Sequence, residues 1–287
     1  MVSDSGSEAL TDIRPSPIAG TWYSSDPAQL RREVEEYINQ AEPPELAGEV
    51  VALVAPHAGY RYSGPTAGYA FRAVLGKSYD LVAVVSPFHQ YHMNSLLTSA
   101  HEAYHTPLGT IPIDQDALQT LNIHLEEHAG DTLTPISRDG EHALELELPF
   151  LQVALEGDFK LLPVMISASD TAVAKTLGAG LAEVLGERDA LLVASTDLSH
   201  FYSEKAANEL DNEVLKHIAA LSPEGMVEAV KSGKGEACGV MAVLAVMEAA
   251  KALNANTAQV LHYSTSGEAS GDYKRVVGYG AAAFLKM

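Results

Sequence analysis

Three short apolar runs in this chain each lead into a histidine. Val50 to Ala55 runs into Pro56-His57-Ala58-Gly59-Tyr60, and Leu81 to Val85 into Ser86-Pro87-Phe88-His89. Leu191 to Ala194 runs into Ser195-Thr196-Asp197-Leu198-Ser199-His200. Imidazole is the commonest metal ligand in proteins and the side chain best suited to move protons near neutral pH. Three of them at strand ends therefore point to a metal site, an acid/base site or both. The lone cysteine, Cys238, lies in Gly235-Glu236-Ala237-Cys238-Gly239, just ahead of the apolar stretch Val240 to Leu253. At a helix N-terminus the macrodipole favours thiolate, the form that ligates metals or attacks electrophiles, so Cys238 is expected to be reactive. Asp139-Gly140-Glu141-His142 reads as a turn, after which Glu141 and Glu145 lie one helical turn apart. Acidic residues there complement a helix dipole, and Glu141 or His142 could also orient a ligand imidazole.

Other chemistry is disfavoured. His101-Glu102-Ala103-Tyr104-His105 matches the H-E-x-x-H pattern of zinc proteases, but Pro107 and Gly109 follow at once and Leu96 to Ala100 before it reads as a strand. Two histidines at that spacing share a face only on a helix. No phosphate loop follows a strand, Gly278-Tyr279-Gly280 sits inside a strand pattern, and no G-x-S-x-G elbow is present.

The elements that must position these residues alternate in type. Valine-rich runs at Val50 to Ala55, Leu81 to Val85, Leu161 to Ile166, Leu191 to Ala194, Val260 to Tyr263 and Val276 to Phe284 show no apolar/polar alternation. That is the mark of strands covered on both faces. Asp26-Pro27 opens a surface helix with Leu30, Val34, Tyr37 and Ile38 on one face. Further helices are expected at Thr66 to Leu75, Leu144 to Leu155, Thr171 to Leu185, Glu204 to Ala220 and Val240 to Leu253, Pro149 either kinking the second or marking its true start. The pattern predicts one α/β domain over residues 13–287, a central, mostly parallel or mixed sheet with helices on both faces, after a flexible N-terminus over 1–12. In such sheets ligands bind beyond the carboxyl ends of the strands, where His57, His89, Asp197 and His200 would converge.

Composition narrows the partners. Among 287 residues, 38 acidic side chains against 18 basic ones give a formal charge of −20, which repels nucleic-acid phosphates and anionic lipid. A single cysteine allows no intrachain disulfide, the acidic start does not read as a signal peptide, and the longest apolar run is broken by Glu248. A cytoplasmic protein with no nucleic-acid or membrane partner is the expectation.

Taken together, Pro56-His57-Ala58-Gly59-Tyr60 with Tyr62-Ser63-Gly64, Ser86-Pro87-Phe88-His89, Tyr104-His105-Thr106-Pro107-Leu108-Gly109, Glu141-His142-Ala143-Leu144-Glu145, Ser195 to Phe201 and Cys238-Gly239 resemble the MEMO family. In prokaryotes that family is also called AmmeMemoRadiSam system protein B. The resemblance runs in order from Arg14 to Phe284 and includes Ala19-Gly20-Thr21-Trp22-Tyr23. It implies a fold similar to class III extradiol dioxygenases, the non-haem iron enzymes that open catechol rings. It places a metal on His57, His89 and Cys238, the cysteine standing where the dioxygenases keep a carboxylate, with His200 at their acid/base position and Asp197 beside it. Thiolate for carboxylate softens the site, so iron or copper is expected, with zinc as a third choice, and ring opening does not carry over.

Two functions follow from the resemblance. One is a metal-dependent, oxidoreductase-like enzyme acting on a small molecule. The other is a catalytically silent binding module for a peptide or for radical-SAM and AMMECR-type proteins. The residues by themselves leave a third, a thiol enzyme with Cys238 as nucleophile and His200 or His57 as base.

Overall fold

The computed structural model describes residues 10–287. Most of the segment expected to be a flexible N-terminus lies outside them. Of its last residues, the backbone N–H groups of Thr11 and Asp12 donate to the Glu102 carboxylate. Order then begins with β1 (Ile13–Arg14) and α1 (Pro27–Gln40), which Asp26 caps by accepting from the Gln29 N–H with Pro27 at the first position. The chain continues through β2 (Glu49–Ala55), α2 (Tyr60–Arg72), β3 (Leu81–Pro87), β4 (Leu96–Ser99), β5 (Ala103–Thr106), β6 (Gly109–Pro112), α3 (Gln115–Ala129) and β7 (Thr134–Ile136). A single 3-10 turn at Glu145–Glu147 leads into α4 (Leu148–Ala154), followed by β8 (Lys160–Ile166), α5 (Thr171–Leu185), β9 (Ala190–Ser195) and β10 (His200–Tyr202). The last part comprises α6 (Glu204–Ala219), α7 (Pro223–Lys231), α8 (Val240–Ala252), β11 (Thr257–Thr265), α9 (Gly267–Ser270) and β12 (Val276–Lys286).

Nine strands form the central sheet in the order β10-β12-β2-β9-β3-β8-β4-β7, with β11 also paired to β12. The middle of the sheet, β2, β9, β3 and β8, is parallel, whereas β11, β12 and β10 join antiparallel at one side and β4 meets β8 antiparallel at the other. The sheet is therefore mixed. Every residue of β3 is buried, as are Ala52 to Ala55 and Leu191 to Ser195. Successive strand residues face opposite sides, so burial of all of them requires helices on both faces. A second, three-stranded sheet in the order β1-β5-β6 lies apart from the first.

Two expected helices have different limits. The helix expected at Thr66 to Leu75 begins six residues earlier, at Tyr60, and carries Pro65 within its second turn, where the ring removes the N–H that would reach the Arg61 carbonyl. Pro149 is the start signal and not a kink, since α4 opens with it in the first turn and the preceding residues form the separate 3-10 turn. His101-Glu102-Ala103-Tyr104-His105 enters strand β5, and His101 Nδ1 pairs with Asp12, so the zinc-protease pattern is only a coincidence of spacing.

Candidate metal centre

Register explains why distant residues meet. Ala55 pairs with Ser195 and Val85 with Ala194, so β2, β9 and β3 end level with one another. His57 and Asp197 each stand two residues past a strand end, as does His89. Cys238 reaches the same edge from the opposite direction. Its N–H donates to the Asp197 carbonyl (3.2 Å), its Sγ accepts from the Asp197 N–H (3.3 Å), and the Gly239 N–H donates to Thr196 Oγ1 (2.9 Å). A Cβ on residue 239 would lie 2.4 Å from the Ser195 carbonyl oxygen, so only glycine lets the two backbones approach this closely.

Within this pocket one ring nitrogen from each of His57, His89 and His142 lies within 4.8 Å of the others. The hydrogen bonds say which nitrogen each ring has to spare. His57 Nδ1 is 2.8 Å from Ser195 Oγ, while its Nε2 is 3.2 Å from Cys238 Sγ. His89 Nδ1 is 2.9 Å and His142 Nδ1 3.0 Å from the same oxygen, Glu141 Oε1. All three rings spend Nδ1 on the protein, which leaves Nε2 of each for a ligand. This is how metal-binding histidines are usually oriented. Two donors on a tetrahedral ion with bonds of about 2.1 and 2.3 Å sit roughly 3.3 to 3.6 Å apart, so three imidazole nitrogens within 4.8 Å are close enough to share one transition-metal ion, while Cys238, expected as a ligand, lies 3.2 Å from His57 Nε2 but outside this group of three.

Glu141 is the hub of the arrangement. Besides the two rings it accepts the His89 N–H on Oε2 and the His142 and Ala143 N–H groups on Oε1. Burial alone would raise its pKa, but the His142 and His89 rings and these backbone donors outweigh it and hold the carboxyl well below the usual carboxylate range. Arg14 fixes the loop behind it. This fully buried guanidinium pairs with Asp139 (2.7 Å) and with Glu145, and donates to the Glu141 carbonyl at 2.8 Å. Tyr23 donates to Glu145 Oε1 (2.6 Å), which ties the segment around Trp22 to the same network, and the Trp22 ring packs 4.2 Å from that of His142.

Burial and the neighbouring His89 and His142 charges hold the His57 pKa well below the ordinary imidazole value, so its ring is neutral, as a ligand must be. His89 is raised, because its hydrogen bond to Glu141 overcomes burial. Burial pushes Asp197 up to about 7 against the His57 and Ala58 N–H groups, and Asp197 Oδ1 accepts the His57 N–H at 2.8 Å. His200 is lowered by burial and has Glu236 beside it. It is the first residue of the edge strand β10, and Phe201 after it holds a φ of 67°. A cavity of about 250 Å³ opens onto His89 and Cys238, lined also by Phe88, Ser167, Ser169 and Met241.

Two expectations need amending. The Cys238 thiol is not activated by the helix behind it: burial and the adjacent Asp197 push it up to about 12, so a free thiolate nucleophile has no support. His142, expected like Glu141 to orient a ligand ring, contributes one of the three clustered nitrogens, and Glu141 holds the His89 and His142 rings. Ser195, which contacts the His57 ring, and Glu147, which contacts Ser195, carry no signal of their own in the sequence.

A mixed α/β sheet presenting clustered imidazoles at the carboxyl ends of its parallel strands defines a protein with a candidate transition-metal site. The chain belongs to the MEMO family: the model of Memo-like proteins matches residues 14–283. A MEMO1 family protein of Methanopyrus kandleri is 34% identical over 284 residues, covering 95% of this chain and 99% of its own. Another, from Nitrosopumilus maritimus, is 30% identical over 281 residues, covering 95% and 100%. The crystal structure of an uncharacterized Escherichia coli K12 protein shares the fold, with a TM-score of 0.52 at 15% identity, covering 81% of this chain and 99% of that one. No helix among the described residues is long and apolar enough to cross a membrane.

Proposed function

We infer that this protein is a metal-dependent enzyme of oxidoreductase type, with one transition-metal ion held by His57, His89 and His142 and with Cys238 as a further donor. The observation that carries this reading is that one ring nitrogen from each of the three histidines lies within 4.8 Å of the others, while the Nδ1 atoms are held by Ser195 and Glu141. Imidazole with thiolate suits iron or copper, and zinc less specifically; such an ion supplies Lewis-acid chemistry and, for iron or copper, electron transfer. The protein's own part is to orient and to handle protons. Glu141 fixes two rings, Asp197 holds the His57 backbone, and His200 at the start of β10, outside the lining of the cavity beside Cys238, would serve as proton donor or acceptor for a small substrate.

Metal analysis of protein purified without a tag tests this, alongside His57→Ala and Cys238→Ser. Near-stoichiometric metal in the wild type, abolished in His57→Ala and reduced in Cys238→Ser, is expected. Equal, near-zero content in all three rejects the reading. A second reading, a binding module, is favoured by the loop after His89, where Tyr91 is 90% and Met93 87% exposed. Large apolar side chains that exposed commonly mark a contact surface. A pull-down that loses its partner on Tyr91→Ser, with no dioxygen consumption by the purified protein, would favour it instead.

A further inference from the structure

Behind the His57 ring lies a second carboxyl group. Ser195 Oγ is 2.8 Å from His57 Nδ1, 2.9 Å from the Ala143 carbonyl oxygen and 2.5 Å from Glu147 Oε1. A hydroxyl has one proton to give and two lone pairs to receive with. The Ala143 carbonyl can only accept, so the Ser195 proton belongs there if every contact is to be a hydrogen bond. Both lone pairs then need donors. His57 Nδ1–H supplies one and Glu147 can supply the other only as a carboxylic acid. With an ionised Glu147 the carbonyl and the carboxylate would compete for a single proton.

The surroundings of Glu147 lead to the same state. It is fully buried, no cationic side chain pairs with it among the described residues, and its Oε2 has no hydrogen-bond partner. The nearby acidic group that bears on it is Asp197, a like charge when ionised. A buried, unpaired anion costs far more than a neutral acid whose carbonyl lacks one bond. Burial, opposed only by the Ser195 hydroxyl, accordingly holds this carboxyl well above the usual range.

We propose that Glu147 is a permanently neutral carboxylic acid that donates to Ser195 Oγ, turns the Ser195 proton toward the Ala143 carbonyl, and thereby commits His57 to the Nδ1–H form with Nε2 free for a metal ion. Glu147 is thus a positioning residue, acting on the site through Ser195. The part concerning metal rests on the function proposed above; the protonation of Glu147 and the tautomer of His57 do not.

The test uses the full chain, metal-free and zinc-loaded, as wild type, Glu147→Gln and Glu147→Leu. Gln keeps an N–H donor toward Ser195 and Leu does not. The infrared difference between metal-free wild type and Glu147→Gln near neutral pH should contain the carbonyl stretch of a protonated carboxylic acid. Nitrogen-labelled histidine NMR should find His57 as Nδ1–H in the wild type and in Glu147→Gln, and as a mixture of tautomers in Glu147→Leu. Zinc affinity should stay within about threefold in Glu147→Gln and fall by about 10- to 100-fold in Glu147→Leu. A carboxylate signature for Glu147, an unmoved tautomer in Glu147→Leu, or equal loss in both variants overturns the proposal. Should Glu147→Leu fail to fold, the infrared band and the Glu147→Gln spectra still decide. If the wild type binds no zinc while the band and tautomers are as expected, the metal reading fails and the role of Glu147 stands.

Discussion

Replacing Glu141 by glutamine should damage the site more than any other change of a single atom. The carboxylate receives the His89 ring and backbone N–H groups and the backbone N–H groups of His142 and Ala143, with His142 Nδ1 at 3.0 Å, and its side chain is 1% exposed. An amide has one accepting oxygen. If that oxygen takes the place of Oε1, its NH₂ group faces the His89 N–H, and in the reverse orientation it faces every other donor. The gentler arrangement still loses one charge-assisted hydrogen bond, about 1.5–3 kcal/mol, and leaves a buried donor unmet at about 1–3 kcal/mol, so roughly 2.5–6 kcal/mol in all. For a chain of this size each kcal/mol moves the midpoint by about 2 °C, giving a Tm lower by about 5–12 °C. Disordering two of the three clustered rings should also weaken zinc or cobalt binding by about 10- to 100-fold. Differential scanning calorimetry of the metal-free protein and competition titration against a chelator measure the two effects separately. The folded-state pKa of Glu141 is depressed, so its contribution is fully present above the ordinary carboxylate range and is lost only as pH falls through that low value. The deficit of Glu141→Gln should therefore persist at mildly acidic pH. A variant with wild-type Tm and wild-type metal affinity would refute the assignment of Glu141 as the common anchor.

Removal of the Arg14 guanidinium by Arg14→Met strands two buried carboxylates, Asp139 and Glu145, and should cost about 3–5 kcal/mol in urea unfolding at neutral pH. A loss under 1 kcal/mol would show that the network is not carrying the loop. Gly239→Ala places a methyl group 2.4 Å from the Ser195 carbonyl oxygen, forces the Cys238 segment off β9, and is expected to cost about 1–3 kcal/mol together with metal affinity, both unchanged if the approach is loose. Asp211, buried against the Ser199 N–H and the Tyr263 hydroxyl, has its pKa raised by burial. Its contribution is present below about pH 4 and is lost as pH rises through the raised value, so the stability of Asp211→Asn relative to wild type should climb over that range. Parallel stability curves would count against this.

The strand-then-histidine pattern was readable because a polar residue ending a continuous apolar run can only lie at a sheet edge, and β2, β3 and β9 all do so. The helix Thr171–Leu185 was readable in full, and Asp170 caps it by accepting the Ala172 N–H. What escaped depends on partners far away in the chain. The course of residues 137–144 has no period of its own and is set by Arg14, more than a hundred residues earlier, so the place of His142 in the cluster was invisible. Cys238 misled for a related reason: the local helix dipole favours thiolate, but the tertiary burial that opposes it cannot be counted from neighbours in sequence. Glu147 looked like an ordinary acidic residue in a helix, because only the fold puts Ser195 against it.

The most direct measurement is anomalous diffraction from crystals of the protein loaded with zinc, recorded above and below the metal edge. One strong peak bounded by Nε2 of His57, His89 and His142, with Cys238 Sγ beside it, is the predicted result. A peak elsewhere, or none with the three rings still hydrogen-bonded through Nδ1, would contradict the account.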